Sequence, residues 1–219
     1  MSCCNNEYEA KLAAEQAWPV QALAGGVQSF AVFRSLIINS VEMNKTAFWQ
    51  IIESAKAEAQ GDQQVQEQAL ISSLEKLDLE QIVEFECILR EYLIEADHYN
   101  IIAAQKIIDG YVSDDPYLYF RCWLIGQGET VFTNALHTPD SLASVIEDPY
   151  QDFEALLYVA TEAFGKRTGR TEEDDSFPRA LASERGLNYD FGSETKGEDW
   201  TENQLPKMLP KLWKKFGPI

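Results

Sequence analysis

The sequence predicts an all-α protein: a single compact helical bundle around a buried central helix at about residues 115–127. Three observations carry that prediction. Apolar residues recur at helical spacing in one segment after another. Helix start and stop signals punctuate those segments. No run alternates polar and apolar residues convincingly enough to read as a strand.

Residues 1–42 hold apolar patches, Phe30-Ala31-Val32-Phe33 and Leu36-Ile37-Ile38, with no period to organise them. They are expected to be an N-terminal extension, poorly ordered or packed as an extra helix, and Met43 is the expected start of a single all-helical domain, 43–216. From Thr46, a candidate cap, Phe48, Ile51, Ile52, Ala55 and Ala59 form an amphipathic stripe. Gly61-Asp62 ends that helix and opens the next, which carries Val65, Ala69, Leu70, Leu74 and Leu77. Asp78 stands three residues before Gln81, a capping box with Asp in the Ser/Thr place. The helix that follows has Ile82, Phe85, Leu89, Leu93 and Ala96 on one stripe, and Glu86 falls within it. Ile101, Ile102, Gln105 and Ile108 mark a short helix that stops at Asp109-Gly110, since Gly tolerates the left-handed backbone of a helix end.

Ser113-Asp114-Asp115-Pro116 opens the central helix. Asp114 or Asp115 can accept the free N–H groups of its first turn, where Pro116 loses nothing by lacking one. The helix is expected to run to Gly126 or Gly128. At about 100° per residue, Tyr117, Phe120, Arg121 and Leu124 share an arc. Leu118, Trp123 and Ile125 widen it, and Tyr119, Cys122 and Gly126 lie opposite. A helix apolar over most of its circumference is buried, which puts Arg121 on a core face. Three readings of Arg121 follow: a structural arginine paired with a carboxylate or carbonyls, a side chain that snorkels to water, or an anion ligand.

Beyond the central helix, Val131, Phe132, Ala135 and Leu136 make a short helix. Thr138-Pro139 starts another, with Leu142, Val145 and Ile146 apolar and Pro149 as its breaker. Phe153, Leu156, Leu157, Ala160 and Phe164 form a further stripe that Gly165 is expected to end. Residues 171–199 read as a long acidic loop. Its run Glu172-Glu173-Asp174-Asp175 lacks the ligand spacing of a calcium loop, and Phe177 and Tyr189 are expected to pin it to the core. The tail from Trp200 to Phe216 reads as two short helices with Pro206 and Pro210 in their first turns, and 217–219 as a terminal tail.

Across 219 residues the net charge is −18. That charge opposes nucleic acid and anionic membrane, which require a basic face, and permits a basic protein partner or plain solubility. No apolar run is long enough for a membrane span. Of the four cysteines, Cys87 and Cys122 lie in helical patterns and read as reduced core thiols, which fits a cytoplasmic protein.

The stretches Phe48-Trp49 with Ile52, Ser113-Asp114-Asp115 with Tyr119-Phe120-Arg121-Cys122-Trp123-Leu124-Ile125, and Gly128 resemble the bacterial domain-of-unknown-function family 4240. Pro139-Asp140-Ser141-Leu142-Ala143, Leu156-Leu157-Tyr158-Val159-Ala160 and Trp200 with Leu212-Trp213 extend the resemblance over about 43–216. Tyr111 departs from it, where a second glycine is expected. The resemblance implies a fold and no activity.

Motifs for chemistry are sparse. His98 and His137 stand in separate segments and read as surface or helix-end residues. No ligand set for zinc, phosphate-cradling loop or nucleophile elbow can be assembled, so no metal and no cofactor is expected. The candidate polar site is Asp114, Asp115, Arg121, Trp123 and Glu86. The two aspartates are either caps or the border of a small pocket at the helix N-terminus. Glu86 is either exposed on a rotated helix or ion-paired with Arg121 across two core helices. Two functions remain open. One is a cytoplasmic binding or protein-interaction module with an acidic surface and a basic partner. The other is a small-molecule-binding protein or hydrolase using Asp114, Asp115 and Glu86 with Arg121. A flat surface around Asp114 favours the first and a deep pocket the second.

Overall fold

Capping side chains set where the first four helices begin. The computed structural model describes residues 42–170, 177–189 and 194–218; the expectations for residues 1–41 and for the acidic run 172–175 lie outside them. Helix α1 (Lys45–Ala59) starts at Asn44, whose side chain accepts the Ala47 N–H at 3.1 Å. Thr46, the expected cap, is already inside the first turn. Gln60 and Gly61, at φ 48° and 97°, reverse the chain. Asp62 then caps α2 (Gln63–Leu74) through the Gln64 and Val65 N–H groups. Helix α3 (Leu79–Glu95) opens on the expected capping box, with Asp78 and Gln81 bonded reciprocally at 2.8 and 3.0 Å. His98 is a helix-end residue: its Nδ1 accepts the Asn100 N–H at the start of α4 (Tyr99–Asp109). Gly110, at φ 79°, closes that helix.

The central helix is α5 (Asp114–Gly126). Packed on it are α1, α3, α4, α6 (Glu129–His137) and a 3-10 turn at Glu154–Leu157. Phe120, Leu124 and Ile125 are fully buried, as their arc predicts. On the opposite side Cys122 is buried, as a core thiol should be, and Gly126 is buried as well. Phe153 covers Gly126 from a later segment. Its N–H donates to Tyr119 O at 3.2 Å, and its ring lies against Gly126. Helical periodicity describes one element, so it cannot reveal a cover supplied by another.

Thr138-Pro139 starts a 3-10 helix, Pro139–Ser144, in place of an α-helix. Helix α7 (Val159–Thr168) runs past Gly165 to Gly169, whose φ of 66° suits the left-handed end. Within the expected long loop, α8 (Ala180–Glu184) adds one short turn that packs on α3. Phe177 does pin this segment, edge-on to Phe164 at 5.2 Å, and Tyr189 lies beneath the Arg90 guanidinium. The tail forms α9 (Leu205–Met208) and α10 (Pro210–Phe216), each with proline in its first two positions. The residue before α10 is Leu209, which has no side-chain acceptor. Asp140 supplies one from the 3-10 helix, accepting the Lys211 and Leu212 N–H groups at 2.9 Å each. The described residues all fall in one compact unit, Val41–Ile219, and none forms a strand beyond an isolated bridge between His98 and Lys196.

Candidate functional site

The residues singled out in the sequence do not converge. Asp114 and Asp115 are exposed in the first turn of α5. The residue at the cap is Ser113, and no side chain makes a cap hydrogen bond there. The aspartates therefore act on the helix as negative charge at its positive end, not as caps. Arg121 is 5% exposed. Its Nη1 donates to Leu93 O at 2.9 Å, and the guanidinium lies 4.6 Å from the centre of the Tyr117 ring. Leu93 is in the last turn of α3, where carbonyls lack helical donors, so a cation is welcome. Nε of Arg121 has no acceptor.

Glu86 is buried, as its place in the apolar stripe implies, but its partner is not Arg121. Arg90, one turn further along α3, donates Nε to Glu86 Oε1 at 2.8 Å. The i,i+4 spacing brings these two together within one helix. Burial pushes the Glu86 carboxyl upward, against the opposing pull of Arg90. Its Oε2 is left without a donor. The ion pair between Glu86 and Arg121 is thus replaced by two separate interactions at different points of α3.

Of the five candidates, Trp123 alone lines the principal polar cleft. This cleft, about 750 Å³, lies beside the C-terminal end of α5. Helix α1 lends Glu53, Lys56 and Ala57, and the turn after it lends Gln60 and Gly61. Gln63 and Gln66 come from α2, Gln127, Thr130 and Val131 from the start of α6 and the residues before it, and Tyr150, Gln151 and Asp152 from the loop that leads to Phe153.

Several bonds hold the walls in place. Lys56 Nζ donates to Gln127 O at 2.8 Å, and Gln66 Nε2 to Gly126 O at 2.8 Å. Both satisfy carbonyls at the end of α5 that have no helical donor. Gln63 Nε2 donates to Asp152 O. Tyr150 takes φ 63°, and its N–H is held by Asp109 Oδ1 at 2.7 Å. Asp109 is buried at the end of α4, and its other oxygen accepts from Gln105. Burial raises its carboxyl, and the bonds from Tyr150 and Gln105 oppose that rise. Gly128 sits at φ 89° with Glu53 so close that a Cβ would lie 3.3 Å from its Cγ.

Sequence reasoning missed the glutamines of this cleft. Their signal is the run Gln60-Gly61-Asp62-Gln63-Gln64-Val65-Gln66, an amide-rich stretch across a helix turn. Two other perturbed groups lie in the core. Burial pushes up the Tyr117 phenol and the Cys122 thiol, and neither lines the cleft. Cys87 and Cys122 are free and buried. Among the described residues no three His, Cys, Asp or Glu side chains gather to hold a metal ion, and no helix is long and apolar enough to cross a membrane.

Fold and cleft together define an all-α domain with a polar cleft at one end of its buried central helix. The chain belongs to the family described as protein of unknown function (DUF4240), whose model matches residues 43–166. That match takes in every residue lining the cleft and stops short of α8, α9 and α10. No curated protein and no solved structure matches the chain.

Proposed function

We propose that the protein is a cytoplasmic bacterial binding module that holds a basic partner protein and catalyses no reaction. The observation that carries this reading is the cleft lining. It is made of amides, two exposed carboxylates and one lysine, its only hydroxyls are Thr130 and Tyr150, and it contains no histidine or cysteine. Such a set offers hydrogen bonds without the nucleophile–base pair that covalent catalysis needs. The net charge of −18 favours a basic partner by long-range attraction. Free, buried Cys87 and Cys122 accord with a reducing compartment. Against a hydrolase built from Asp114, Asp115, Glu86 and Arg121 stands their separation. Two are exposed on the surface, two are buried in different pairings, and none lines the cleft.

The test is affinity capture from bacterial extract with the full chain as bait, beside an unrelated protein of equal negative charge. A specific basic protein should be retained at low ionic strength and released near 0.5 M salt, where the screening length falls to roughly 4 Å. Enrichment of nothing beyond what the control bait retains overturns the reading.

A further inference from the structure

We infer that the cleft binds a cationic head group on an aliphatic stem, an ammonium or guanidinium, which a basic partner presents as a Lys or Arg side chain. The inference rests on the interaction reading above and adds the place and chemistry of contact.

Gln66 is the key. It is 6% exposed and lines the cleft. One of its two N–H groups is committed to Gly126 O, which fixes the orientation of the amide and leaves Oε1 as an acceptor to which no described residue donates. An oriented acceptor in the cleft wall can receive a bond from a ligand that donates there. Gln63, which is exposed, likewise donates one N–H to a backbone carbonyl, Asp152 O. Glu53 and Asp152 add carboxylates, which only accept when ionised.

The cleft is thus rich in acceptors. Its one cationic side chain, Lys56, is engaged by Gln127 O and offsets one of the two carboxylates, leaving −1 on the lining. Ala57, Trp123 and Val131 give an apolar strip for methylene groups. Tyr150 is 63% exposed, and its backbone is fixed by Asp109, so its ring is available to a cation. An anion meets two carboxylates and a net charge of −18.

The same chemistry occurs in a free polyamine and in a basic side chain, and the experiment separates them. The full chain is titrated with a blocked Gly-Lys-Gly peptide, the same peptide with its lysine acetylated, spermidine and maltose. The readouts are the NMR signals of the Gln66 side-chain amide and the Trp123 indole. The lysyl peptide should give a saturable shift at both. Glu53→Gln and Asp152→Asn change exposed side chains, and their folding is checked by circular dichroism. Each should weaken binding about fivefold at low salt, while Asp114→Asn leaves it unchanged. Saturation by spermidine and not by the peptide would assign the site to free polyamines. Equal binding of the acetylated peptide, saturation by maltose, no response to either cation, or full affinity in both cleft variants overturns the inference. If the cleft variants still capture the partner, the site falls and the interaction reading stands. A cleft that takes the peptide in a protein that captures no partner gives the reverse.

Discussion

Phe153 lies so close to Gly126 that a methyl group on the glycine would sit 2.8 Å from Cδ1 of the ring. The ring is buried and its backbone is tied to Tyr119 O, so it has little room to retreat. Gly126 thus allows the close approach that seals one side of the central helix and places the 150–152 loop along the cleft. Gly126→Ala should cost about 1–3 kcal/mol in urea unfolding, and Phe153→Leu in the same chain should recover part of it. An unchanged midpoint for the single variant would show that the contact has slack.

Glu86 and Arg90 should be energetically coupled, and Glu86 and Arg121 should not. A double-mutant cycle with Glu86→Gln and Arg90→Met is expected to give a coupling of about 1–3 kcal/mol. The cycle with Glu86→Gln and Arg121→Met should be additive within about 0.5 kcal/mol. A larger coupling in the second cycle would mean that the two buried charges sense each other directly.

The upward push on Glu86 has a consequence for pH. In the folded chain its carboxyl keeps a proton to higher pH than the ordinary value of 4.5. The protonated form is therefore favoured by folding. Its contribution is complete below the unfolded value and is lost as pH rises through the folded one. Unfolding free energy of the wild type, taken relative to Glu86→Gln, should fall as pH climbs from about 4 toward neutral. A constant or rising difference contradicts the burial argument. Asp109 is shifted in the same direction, so the comparison is repeated in an Asp109→Asn background.

Asp140 should matter for one end of the chain and little elsewhere. Asp140→Ala removes the acceptor for two N–H groups of α10 and should cost about 1–2 kcal/mol, the usual worth of a helix cap. Hydrogen exchange should speed up in 205–216 and remain slow in α3 and α5. Retained protection at Leu212 would mean that packing alone holds that helix.

Local signals in the sequence were enough to place most of the helices. Asp78 with Gln81, Gly61-Asp62, Gly110 and the two tail prolines act through bonds a few residues apart, so their spacing can be read directly. Buried Arg121 and Glu86 were legible as charges on core faces for the same reason. Their partners were not. Leu93 O lies 28 residues from Arg121, and nothing in a helical wheel marks one carbonyl among many. The cover on Gly126 and the cleft itself are assembled from segments far apart in the chain. Of the cleft residues, Trp123 stands out because it sits in the central helix, whereas Gln60, Gln63 and Gln66 carry no motif that sets them apart from any turn between two helices.

The cap on α10 reaches it from 71 residues upstream. A helix of seven residues is well below the dozen or so that a free peptide needs to hold its shape. The C-terminal turn therefore gains its order from a distant part of the chain that must already be in position. Closing so long a loop costs entropy before any contact repays it. Helix α10 should therefore settle only after the 3-10 helix that caps it.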